Sequence, residues 1–131
     1  MSTRNSKSNR NILVVDDNHE LRTSMGLMLA NEGYAVSHAT NGHEALSLYR
    51  SSPFDLVIAE LTLRGRDSFQ TIMELRRQPV PAKWIATART GWMSADFCLR
   101  MAEHLGAHHT LARPFASEQL LAAVRSALEE N

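Results

Sequence analysis

Leu56-Val57-Ile58-Ala59 is an unbroken apolar run flanked by acids, Asp55 before it and Glu60 after it. A run without polar interruption predicts a strand buried on both faces, as parallel sheets covered by helices require. Glu60 then closes the strand at its carboxyl end. In open α/β sheets ligands collect outside that end, so Glu60 is the first candidate functional residue.

Around this run the chain alternates between two kinds of segment. Ile12-Leu13-Val14-Val15 predicts a first strand, closed by Asp16-Asp17, and Leu21, Met25, Met28 and Leu29 then recur at helical spacing between an Asn18 N-cap and a Gly33 stop. Tyr34 to Ala39 is a weaker second strand. Asn41-Gly42 opens a helix carrying Ala45, Leu46 and Tyr49, which ends before Pro53. After a loop from Leu61 to Arg66, a helix from about Asp67 carries Phe69, Ile72, Met73 and Leu75 and is ended by Pro79 and Pro81. Trp84 to Thr87 is the fourth strand, Gly91 to Leu105 a helix stopped by Gly106, and His108 to Ala112 the fifth strand. Arg113-Pro114-Phe115 leads into a last helix with Leu120, Leu121, Val124, Ala127 and Leu128 on one face. Five strands alternating with five helices predict an α/β doubly wound parallel sheet.

The 131 residues suit one domain, long enough to bury about two thirds of the unfolded surface without disulfides. Residues 1–10 offer nothing apolar beyond Met1 and are expected to be a disordered tail, leaving 11–131 as the domain. Fourteen basic and fourteen acidic residues cancel, so overall charge favours neither nucleic acid nor an anionic membrane as partner. Cys98 is the only cysteine, and no apolar run approaches membrane-spanning length. The expectation is a soluble cytoplasmic protein.

Several blocks together resemble the signatures of bacterial response-regulator receiver domains, the chemotaxis-type single-domain receivers included. They are Val14-Val15-Asp16-Asp17-Asn18, Asn41-Gly42-His43-Glu44-Ala45-Leu46, Phe54-Asp55-Leu56-Val57-Ile58, Thr87-Ala88 and Arg113-Pro114-Phe115. Each block alone is weak, whereas five in this order and spacing are specific. The resemblance covers about residues 11–129 and implies a flavodoxin-like sheet of strand order 2-1-3-4-5. It also implies a Mg²⁺ site: Asp17 as direct ligand, Asp16 largely through water, the phosphoacceptor position Glu60, and the backbone carbonyl of Thr62. Thr87 takes the place of the hydroxyl that follows the phosphoryl group, and Arg113 that of a lysine that pairs with it, before a peptide bond that is usually cis. The partners implied are a histidine kinase or a downstream signalling protein, met through the fourth helix, fifth strand and fifth helix.

The chain departs from that pattern where the chemistry is concentrated. Glu60 stands for the acceptor aspartate and Arg113 for the lysine. An extra methylene displaces the carboxylate, and misplacement of about 1 Å can cost on the order of a hundredfold in rate. A guanidinium is planar and forked, suited to holding carboxylates as an ammonium is not. Two atypical, phosphorylation-independent readings follow. Either Glu60 imitates an activated site, or Arg113 fills the metal pocket and neutralises Asp17 or Glu60. Leu63-Arg64 replaces a common Met-Pro, and Thr110 replaces an aromatic switch residue.

Plainer readings stand beside these. Paired aspartates also suit a helix start, Thr87 also suits a turn cap, and Trp92 is either a partner-binding spot or core. Cys98 suits packing, and adjacent strand residues His108 and His109 face opposite ways and cannot easily chelate. The alternatives in function are a conventional Mg²⁺-dependent phosphoacceptor and a flavin- or nucleotide-binding flavodoxin-like protein. The second of these wants a Gly- or Ser/Thr-rich loop after the first strand. Asp16-Asp17-Asn18-His19-Glu20 is acidic instead. A binding module rather than an enzyme is therefore expected.

Overall fold

A computed structural model describes residues 10–61, 66–88 and 95–129. The elements alternate strictly: β1 (Asn11–Val15), α1 (His19–Asn31), β2 (Ala35–Ala39), α2 (Gly42–Ser51), β3 (Leu56–Leu61), α3 (Arg66–Arg76), β4 (Trp84–Ala88), α4 (Ala95–His104), β5 (His109–Ala112) and α5 (Ser117–Glu129). All pairings are parallel and the strand order is β2-β1-β3-β4-β5, the flavodoxin-like arrangement.

Alternation along the strands builds two cores. Ile12, Val14, Leu56, Ile58 and Ile85 face one way and pack with Met25 and Leu29 of α1 and Leu120 and Val124 of α5. Leu13, Val57, Ala59, Trp84 and Ala86 face the other way, against Tyr49 of α2, Ile72 and Leu75 of α3 and Ala102 of α4. A strand between two such layers has no polar face, which is why β3 shows no alternation in sequence.

Helix ends follow local chemistry. The side chain of Asn18 accepts the N–H of Leu21, and that of Asn41 accepts the N–H of Glu44. Gly33 and Gly106 close α1 and α4 with φ of 96° and 86°, a region that residues with a Cβ enter at a steric cost. Gly42 is required for a different reason: a Cβ there would run into the Thr71 hydroxyl of α3.

Most expected boundaries agree within a residue or two. β3 runs one residue past Glu60, so Glu60 lies within the strand rather than closing it. Met73, expected on the buried face of α3, is 43% exposed. The expected start of the fourth helix, with Gly91, Trp92 and Met93, lies outside the described residues, as do residues 1–9 of the expected tail.

Candidate functional site

Four segments far apart in sequence meet at the carboxyl rim of the sheet. Asp16 follows β1 directly, anchored by its N–H to the carbonyl of Ala39 at 3.1 Å. Glu60 of β3 and Thr87 of β4 are partners in register. They share the parity of Ile58 and Ile85, so both lie toward the α1 and α5 layer. Arg113 follows β5, its N–H donating to the carbonyl of Ala88 at 3.0 Å, and the Arg113–Pro114 bond is cis.

One nitrogen ties these segments together. Nη2 of Arg113 donates to Oδ2 of Asp16 in a short ion pair, reaches Oγ1 of Thr87 at 3.2 Å and lies 3.4 Å from Oε2 of Glu60. The side chains of Asp16, Glu60 and Arg113 are 0%, 5% and 11% exposed, so the contacts form in a largely dry setting. Attraction between charges is stronger there than in water, and an unpaired charge is correspondingly costly. Nε of the same guanidinium is buried and finds no acceptor. Among the described residues the grip on the acids runs through Nη2 rather than a bidentate fork.

Asp16 is committed on both sides. Its Oδ1 accepts the N–H of Asn18 at 2.8 Å, the Asx-type turn that also sets up the α1 N-cap. Its backbone carbonyl accepts Nη1 of Arg22 at 2.7 Å, and Nη2 of Arg22 meets Nδ1 of His19 at 3.1 Å. The role of Arg22 was not read from the sequence. A helical residue six positions after the acid gives no signal until the turn between β1 and α1 is known. Nearby, His38 of β2 has its pKa lowered by burial and by the charges of Arg22 and His19.

The expected metal-ligating acids do gather. Asp16, Asp17 and Glu60 each present an oxygen, all within 4.8 Å of one another, the only such group among the described residues. Asp17 is exposed, whereas Asp16 and Glu60 are buried against the guanidinium. Arg113 pairs with Glu60, one of the two acids to which the sequence pointed, and also with Asp16, which the sequence did not single out as its partner. Thr110 is half-buried on β5, opposite Ala86. Thr62, Arg64 and Trp92 lie outside the described residues, and so does the Cys98 side chain. Nδ1 of His108 faces the N–H of Trp84 at 3.3 Å, in a strand-end contact rather than a chelate.

A doubly wound sheet with acids, a hydroxyl and a cation at its carboxyl rim defines a flavodoxin-like protein with an acidic pocket rather than a phosphate-cradling loop. The model of the response regulator receiver domain matches residues 12–125, and the chain belongs to that family, the receiver modules of two-component signal transduction. A probable transcriptional regulator, ycf27 of Cyanidium caldarium, is 27% identical over 128 residues, 98% of this chain and 50% of that protein. The chain thus spans half the length of that curated relative. The crystal structure of NtrX from Brucella abortus superposes with a TM-score of 0.82 at 25% identity, over 92% of this chain and 27% of that one. The chemotaxis response regulator CheY4 of Vibrio cholerae shares the fold, with a TM-score of 0.76 at 24% identity over 90% and 98% of the two chains. No helix among the described residues is long and apolar enough to cross a membrane.

Proposed function

We propose that this receiver signals without being phosphorylated, as a cytoplasmic protein-binding module whose output is association with a histidine kinase or a downstream signalling protein. Residues 11–131 form the module and residues 1–10 a tail. Neither catalysis nor direct nucleic-acid contact is part of its action, and the partner meets the face built from α4, β5 and α5.

The observation that carries this reading is the position of Nη2 of Arg113 between Asp16, Glu60 and Thr87. Phosphoryl transfer to Glu60 brings negative charge toward the other acids, which demands a metal ion and a positive side chain free to follow the incoming group. Here the positive side chain already holds the acceptor and its neighbour. Of the two atypical readings, this supports the self-neutralised pocket over a Glu60 carboxylate that imitates a phosphoryl group.

The Mg²⁺ that the resemblance implies needs hard oxygen donors in near-octahedral geometry at about 2.0–2.1 Å. The three carboxylates have the right chemistry. The arrangement does not fit, because each oxygen of Asp16 already carries a donor and a guanidinium touches two of the three acids. The conventional phosphoacceptor reading has the proximity of those acids in its favour, and one assay decides between the two. After incubation with acetyl phosphate and Mg²⁺, intact-mass measurement is expected to return the unmodified protein. Addition of one phosphoryl group that disappears in Glu60→Gln would sink the proposal.

A further inference from the structure

We infer that the groove between α3 and α4 docks an amphipathic helix with acidic flanks, supplied by a partner protein. This surface lies on the α3 side of α4, apart from the face that α4 forms with β5 and α5, and it goes beyond the function proposed above.

Helical spacing sets up two facing apolar edges. Both helices cover the same face of the sheet, with Ile72 and Leu75 of α3 and Ala102 of α4 in one core. α3 gives one edge to α2, through the close approach of Gly42 to Thr71 and the Arg50–Glu74 ion pair at 3.7 Å. Phe69, Met73 and Arg76 therefore fall on its opposite edge, toward α4. Phe97, Met101 and Leu105 recur every fourth residue along the edge of α4 that faces them.

The seam is closed at one end only. The helices run in the same direction, since each leads into one of two neighbouring parallel strands, so their C-terminal ends lie side by side. There Nη1 of Arg76 donates to the carbonyl of Leu105 at 2.6 Å, and a Cβ on Gly106 would come within 2.8 Å of the guanidinium carbon. One turn before Arg76, Met73 is 43% exposed, and two turns before Leu105, Phe97 is 40% exposed. Helices packed along their full length would cover both. These are two of the four large apolar side chains that stay exposed among the described residues, and both are of types that protein interfaces gather.

The rim selects the occupant. Arg77 stands four residues after Met73, and Arg100 and His104 stand three residues after Phe97 and Met101, all of them exposed. The described acids of these helices lie on other edges: Glu74 toward Arg50 of α2, and Asp96 and Glu103 seven residues apart on the far side of α4. An apolar floor between basic banks complements a helix that carries apolar anchors at i, i+3, i+4 and i+7 with acids beside them. From Phe69 to Arg76 the groove is about 10 Å long, room for two helical turns.

The test is fluorescence anisotropy of the full chain with two labelled helical peptides, both with leucine at i, i+3, i+4 and i+7, one flanked by glutamates and the other by lysines. The acidic peptide is expected to bind at least about tenfold more tightly than the basic one. Combining Met73→Gln with Phe97→Gln is expected to weaken it by at least about tenfold, and combining Arg77→Glu with Arg100→Glu to reverse the preference. No saturable binding of the acidic peptide, equal affinity for both peptides, or full affinity in the Met73→Gln, Phe97→Gln protein would overturn the inference. A wild-type dimer in sedimentation velocity that the same double variant dissolves would overturn it in favour of a second copy. Should a variant not fold, NMR shift changes in the wild type decide: changes centred on Met73 and Phe97 support the inference, and changes centred on α1 or α5 overturn it. No phosphodonor enters these assays, so a phosphoryl adduct on the wild type would defeat the proposed function while leaving the peptide affinities as a separate result.

Discussion

Asp16 is the residue on which the rim depends, since it caps its own turn with one oxygen and holds Arg113 with the other. Asp16→Ala leaves a side chain that is only 11% exposed without its nearest counter-charge, and breaking a buried pair from one side costs about 3–5 kcal/mol. Glu60 remains close, so the lower end of that range is expected in urea unfolding. Removing Arg113 as well should cost less than the sum of the single changes, the mark of a coupled pair. His38 gives a pH signature. Its pKa is lowered first by burial, then by Arg22 and His19, so the folded state favours the neutral ring. Its contribution is fully present above the ordinary imidazole range and is lost as pH falls through the lowered folded value. His38→Gln should therefore flatten the acid-side decline of the thermal midpoint.

At the scale of elements, capping contacts carry much of what the chain specifies locally. The side chain of Asn41 accepts the N–H of Glu44 at 2.9 Å while Glu44 accepts the N–H of Thr40 at 2.9 Å. Asn41→Ala should cost about 1 kcal/mol by chemical denaturation. Tyr49 ties α2 to the segment after α3, its hydroxyl donating to the carbonyl of Val80 at 2.7 Å. Tyr49→Phe should cost about 0.5–1.5 kcal/mol in the same assay. These elements were legible because their signals are local: an apolar run for β3, asparagine before α1 and α2, glycine after α1 and α4. The pairing of Arg113 was legible only in outline. Its reach to the acids followed from the family order of blocks, but the choice of Asp16 depends on how the turn into α1 aims two adjacent aspartates. The exposure of Met73 was missed because helical spacing marks a face without fixing its edges.

Across the whole molecule, two apolar layers sandwich the sheet and leave the polar rim at one end, where a guanidinium of the chain itself meets Asp16 and Glu60. A ligand bound only by the folded state raises stability as its concentration passes its dissociation constant. The wild-type thermal midpoint should accordingly be the same with EDTA as with millimolar Mg²⁺. A clear upward shift with Mg²⁺ would show that the rim takes up the ion despite Arg113.

Because the cation facing Asp16 belongs to the backbone segment that joins β5 to α5, it cannot diffuse away or be chelated. Electrostatic state at the rim and position of that connector are thus a single mechanical variable. A partner that moved the connector would change the charge felt by Glu60 two strands away and by Asp16 three strands away, with no small molecule carrying the message.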